Sequence, residues 1–160
     1  MRLIIAGVGR MKSGPERELL ERYLARARAL SRGLGIAGLD LIEVDEGRGR
    51  SAAERQREEA AALAGRFAPG VTIILLDERG RTLPSVAFAE RIGTFVAGGA
   101  PALALVIGGP DGFDDAFRSA APELLSFGAA TLPHQLLRVV LAEQVYRALT
   151  ILSRHPYHRA

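Results

Sequence analysis

Three runs of this chain are apolar at almost every position and read as strands: Arg2 to Val8, Val71 to Leu76, and Ala102 to Ile107. A strand with one wet face alternates, so strands that do not alternate must be covered on both faces. Between them lie helical segments. Over Pro15–Leu30 the residues Leu19, Leu20, Tyr23, Leu24, Ala27 and Leu30 recur at helical spacing, with Pro15 at the start and Gly33 beyond the end. Ala52–Phe67 and Ser85–Val96 are predicted helices, the first with Glu54, Arg55, Arg57, Glu58 and Glu59 on its wet side. Leu39–Asp45 reads as a further strand, and Glu46–Ser51 as a mobile loop. Strands alternating with helices predict an α/β layer fold whose sheet is largely parallel.

The chain of 160 residues, 48% of them apolar, suits one domain with a proper core. It has no cysteine, which removes disulfides, thiolate metal sites and cysteine nucleophiles. The opening apolar run is too short for a signal peptide or a membrane span, so a cytoplasmic location is expected. Lys12 is the single lysine against many arginines, at a net charge of +3. Arginine suits phosphate recognition, and it is equally what a GC-rich genome produces.

In parallel sheets, ligands bind beyond the carboxyl ends of the strands. That rule points to Asp77-Glu78 and to Gly108-Gly109-Pro110-Asp111-Gly112. The glycine segment has neither of the common phosphate-loop spacings. It is either a tight turn or a place where a nucleoside-like ligand approaches the backbone. No nucleophile elbow is present, so covalent hydrolysis has no support.

The helix opening at Leu132-Pro133-His134-Gln135 is apolar around most of its circumference, from Leu136 to Leu152. A helix of that kind is buried on more than one side, and a symmetric homodimer would cover the second. Glu143 and Arg147 are spaced to pair. Arg138 lies among apolar neighbours near the helix start, where a cation opposes the helix dipole. It is read either as the partner of a buried carboxylate, as reaching solvent, or as holding an anion with the helix N-terminus. His134, His155 and His158 are the candidate neutral-pH bases. Pro156 and the lack of companion carboxylates speak against a metal on His155 and His158, and none is expected. The tail Arg154-His155-Pro156-Tyr157-His158-Arg159 joins cations to rings that stack on bases, as recognition of flexible RNA would use.

Taken together, Gly108 to Gly112, Leu125-Ser126-Phe127, Thr131 to Gln135, Arg138 to Ala148 and His155 to Arg159 closely resemble the ribosomal RNA large subunit methyltransferase H family of the SPOUT superfamily. The resemblance covers essentially the whole chain and is weak between Gly33 and Gly65. It implies one SPOUT domain over residues 1–160 with a C-terminal trefoil knot, a homodimer, and S-adenosylmethionine as methyl donor. The implied reaction is methylation of N3 of a pseudouridine in 23S rRNA, on the assembled ribosome. Carried over by position, the cofactor contacts are Leu76, Gly108, Phe127, Gly128, Ala129, Ala130, Thr131 and Leu132. Tyr157 is assigned to stacking on the base, His158 to deprotonating or orienting the imide, Arg159 to a phosphate, and Arg138 to RNA phosphate or the cofactor carboxylate.

Overall fold

The computed structural model describes residues 1–157. Its core is a five-stranded, all-parallel sheet in the order β2-β1-β4-β3-β5. The strands are β1 (Arg2–Val8), β2 (Gly38–Val44), β3 (Val71–Thr82), β4 (Ala102–Ile107) and β5 (Glu123–Ser126). The helices are α1 (Pro15–Ser31), α2 (Ala52–Ala64), α3 (Ser85–Ala97), α4 (Asp115–Ala120) and α5 (His134–Leu152). β1 and β4 lie side by side at the centre with Leu3 opposite Leu103, which explains why both are apolar throughout.

Alternate residues serve opposite faces. Leu3, Ile5, Leu103 and Leu105 join α1, α3 and α5 on one side through Leu20, Leu24, Ile92, Leu141 and Val145. Ile4, Ala6, Ala104 and Val106 face the other side, where Leu63, Phe113 and Phe117 pack.

β3 continues past its apolar half. β5 pairs with Ile74–Leu76 and again with Arg81–Thr82, and the intervening residues 77–80 bulge out of the ladder. The bulge is held tight against β5: a Cβ at Gly80 would stand 2.6 Å from the Leu125 amide nitrogen. Glu123, buried at the start of β5, accepts from Arg91 Nε at 2.7 Å and pairs with Arg81.

Two sequence expectations are corrected here. The 46–51 segment is tied down, not loose. Gly47 N–H donates to Glu59 Oε1 (2.9 Å), Arg48 N–H to Glu58 (2.7 Å) and Arg50 N–H to Glu54 (2.7 Å), and Ser51 with Glu54 forms a capping box. Glu59 is not on a wet face; it is 4% exposed. Backbone amides of the loop need acceptors, and α2 supplies them.

Candidate functional site

The carboxyl ends of β3, β4 and β5 open into one cleft of about 330 Å³, in the range that takes a small organic ligand. All eight residues carried over as cofactor contacts line it: Leu76, Gly108, Phe127, Gly128, Ala129, Ala130, Thr131 and Leu132. Leu76, the last residue of β3 paired with β4, stands opposite Ile107 at the end of β4, so the two arrive at the cleft together.

The 127–132 segment supplies mostly backbone. Gly128 has φ 122°, a conformation that disfavours side chains, and its amide and carbonyl are both bound by the Ser126 hydroxyl (3.2 and 2.9 Å). Ala129, Ala130 and Thr131 are exposed along the rim. Phe127 packs edge-on against Phe88 at 6.3 Å between centroids. On the opposite wall, Gly112 N–H closes a turn on the Gly109 carbonyl at 3.0 Å. The glycine segment is therefore a tight turn and a cleft wall at once.

Three charged side chains of the cleft, Asp77, Arg118 and Asp111, are ion-paired. Arg118 Nε donates to the buried carboxylate of Asp77 at 2.9 Å. Burial pushes the Asp77 carboxyl up, but the Arg79 amide and the Arg118 guanidinium outweigh it and hold it below the ordinary carboxylate range. Asp111 is bound by Arg55 (2.7 Å), whose hydrogen bond likewise holds the carboxyl low. His134 lines the cleft with its Nδ1 buried and unpartnered among the described residues. This lining can bind, through backbone groups and an apolar wall, a molecule with both polar and apolar parts. It offers no lysine or cysteine for covalent chemistry.

The other candidates lie elsewhere. Arg138 is 2% exposed and not in the cleft wall. Its Nη1 meets Glu43 at 2.9 Å, its Nη2 donates to the Val8 carbonyl, and its Nε stands over Gly7, where a Cβ would come within 2.7 Å. Of the readings open from sequence, the ion pair with a buried carboxylate is the one present. Burial lowers the Arg138 pKa, and Glu43 works against that.

Tyr157 also lies outside the cleft wall of its own chain. Arg154 takes φ 55°, which turns the chain back after α5. Tyr157 then rests on Tyr146 (4.6 Å between centroids), under the Arg147 guanidinium, with its hydroxyl 3.2 Å from Glu143. Burial and then the Glu143 charge push its phenol up to about 12. Glu143 and Arg147 pair as their spacing predicts, at 2.5 Å. His158 and Arg159 lie outside the described residues.

Sequence reasoning missed Arg118 and Glu59, and no local signal marked either. Among the described residues no group of three or more His, Asp or Glu side chains could hold a metal ion. No described helix is long and apolar enough to cross a membrane.

The family model described as "Predicted SPOUT methyltransferase" matches residues 1–158. A protein of Methylobacterium radiotolerans named ribosomal RNA large subunit methyltransferase H is 55% identical over 99% of this chain and 98% of its own length. A protein of the same name from Xanthobacter autotrophicus is 52% identical over 100% of both. Among solved structures, the SpoU methyltransferase AviRb of Streptomyces viridochromogenes, in complex with AdoMet, aligns with 96% of this chain at 14% identity and TM-score 0.39. This chain spans 61% of that one. The end-to-end family match and the relatives at over half identity lead to one conclusion: this chain belongs to the SPOUT methyltransferase family.

Proposed function

We propose that this chain is a 23S rRNA methyltransferase that uses S-adenosylmethionine to methylate N3 of a pseudouridine on the assembled ribosome in the cytoplasm. The observation that carries this is the convergence of all eight expected cofactor positions on one cleft, in a chain about half identical end to end to ribosomal RNA large subunit methyltransferases H. In this reading residues 1–160 form a single domain, and β5, lying against the 77–80 bulge, is followed by a chain threaded as a trefoil knot.

The cleft fits S-adenosylmethionine. The backbone of 127–132 and of Gly108 would hold its polar groups, and Leu76, Phe127 and Leu132 its apolar surface. When bound, S-adenosylmethionine supplies an electrophilic methyl on a sulfonium. The pseudouridine imide gives up its N3 proton, N3 bonds to the methyl carbon, and the carbon–sulfur electron pair returns to sulfur. The chain's work is to align the two reactants, an effect that reaches about 7–11 kcal/mol at best.

The tail acts on the nucleotide: His158 takes or orients the imide proton, Tyr157 stacks on the base, and Arg159 holds a phosphate. Because Tyr157 lies outside its own chain's cleft, the tail serves the cleft of a second copy in a homodimer joined through α5. Arg138 holds β1, β2 and α5 together and does not touch the reactants.

The test is calorimetric titration with S-adenosylmethionine, with Gly108→Val as the blocked control, followed by methylation of ribosomes from cells lacking the native activity. A Cβ at Gly108 already meets the Phe113 ring at 3.2 Å, so valine forces the cleft wall to move. Saturable binding lost in the variant, with methyl transfer to pseudouridine, supports the proposal. RNA binding without cofactor binding, even with ribosomes present, would make this a non-catalytic RNA-binding member of the family.

A further inference from the structure

Glu59 is a carboxylate that the fold buries without an ion pair to any described residue. It is 4% exposed; among the described residues Oε1 accepts one hydrogen bond, from Gly47 N–H at 2.9 Å, and Oε2 has no partner. An unpaired buried carboxylate is costly, so its retention needs a reason. What it touches supplies one. A Cβ at Gly109 would stand 2.6 Å from Glu59 Oε2, so Gly109 lies directly against the carboxyl. Gly109 is outside the left-handed region, so its lack of a side chain answers this close approach and not a turn geometry.

Glu59 is flanked by two helix neighbours that grip the same segments. Gln56 Nε2 donates to the Asp111 carbonyl at 2.6 Å. Arg55 binds the Asp111 carboxylate through Nε and the Gly49 carbonyl through Nη1 at 3.2 Å. One face of α2 therefore holds the 46–51 loop on one side and the cleft's glycine wall on the other. Glu59 is the buried centre of that contact.

We infer that Glu59 is a positioning residue that sets the Gly108–Gly112 wall and couples it to the 46–51 loop, so that filling the cleft with cofactor tightens a loop outside it. The inference rests on the reading that the cleft holds S-adenosylmethionine. The charged groups around Glu59 are Arg55 on its own helix, Asp111 on the glycine wall and Glu46 on the loop. Burial pushes the Glu59 carboxyl up, the Gly47 amide pulls it back, and Asp111 and Glu46 add to the rise. Burial thus favours the neutral carboxyl and the Gly47 bond the ionised one, so the contact between wall and loop changes as Glu59 titrates.

The probe is S-adenosylmethionine itself, read by calorimetry and by tryptic cleavage after Arg48 and Arg50, which lie on the tied loop. In the wild type the cofactor slows that cleavage. Gly109→Ala, which drives a methyl into Glu59, weakens binding about tenfold, the lower end of what overpacking a tight contact costs. Glu59→Ala removes the protection, and in the double variant Glu59→Ala with Gly109→Ala the alanine at 109 no longer weakens binding. Glu59→Gln keeps the Gly47 bond and the fold, and flattens the pH dependence of binding. Unchanged affinity and intact protection in Glu59→Ala, or no relief in the double variant, overturns the inference alone. If Glu59→Ala fails to fold, a Glu59→Gln that binds with the wild-type pH profile overturns it instead. A wild type that does not bind S-adenosylmethionine overturns the reading of the cleft and this inference with it.

Discussion

Arg138 Nη1 and Glu43 Oε1 meet at 2.9 Å across 95 residues of sequence, joining α5 to β2 in the interior. Glu43 also accepts from Met11 N–H and from Arg17, each at 3.0 Å, so one carboxylate fixes three segments. Removing it leaves a buried guanidinium unpaired. Glu43→Ala is expected to lower stability by about 3–5 kcal/mol. Arg138→Met, which leaves Glu43 with Met11 and Arg17, should cost less. Urea unfolding of the two variants gives the comparison, and equal losses would show that the pair is not the site of the cost.

Gly80 is fixed by a neighbour's backbone and not by its own torsions. An alanine there must displace β5 or open the 77–80 bulge. Overpacking of this kind costs about 1–3 kcal/mol, and hydrogen exchange in Gly80→Ala should rise at Leu124–Ser126 more than in β1.

Glu123 and Glu59 respond to pH with opposite signs. Burial raises the Glu123 carboxyl, but Arg81 and Arg91 outweigh it and hold it below the ordinary range. Its stabilisation is therefore full above the ordinary glutamate pKa and is lost as pH falls through the depressed value. Glu123→Gln should be less stable than wild type at neutral pH and converge with it in acid.

The Glu59 carboxyl is raised, so its contribution is present in acid, below the ordinary pKa, and lost as pH rises through the raised one. Glu59→Gln should gain on the wild type over that rise. Unfolding curves of the two proteins taken from acid to neutral pH show this directly, and parallel curves would contradict it.

Tyr157 is held by its ring as well as its hydroxyl. Tyr157→Phe removes the bond to Glu143 and should cost about 1 kcal/mol, while Tyr157→Ala loses the contacts with Tyr146 and Arg147 and costs more. In an absorbance titration, the Phe variant should lack the tyrosine that deprotonates at about 12.

The sequence was most readable where one residue period ran uninterrupted. β1 and β4 occupy the predicted residues, and α1 and α3 each end one residue later than predicted. β5 has four residues, too few to show a period, and α4 has six. β3 runs on through Asp77-Glu78-Arg79-Gly80, whose polarity imitates a loop, because there the chain leaves the sheet before rejoining it. The cleft's strand ends and glycines were visible as motifs. Glu59 and Arg118 were not, since each is defined by a partner more than 40 residues away: Gly109 for one, Asp77 for the other.

The central place of β4 also governs how the chain can be made. β1 finds β2 after some 30 residues, but its other edge is filled only by β4, with Leu3 waiting for Leu103. During synthesis from the N-terminus, an almost wholly apolar strand carries an open hydrogen-bonding edge until well past the middle of the chain. Such an edge is a template for pairing with other chains. The nascent protein is therefore most exposed to aggregation before residue 102 is made, long before the cleft exists.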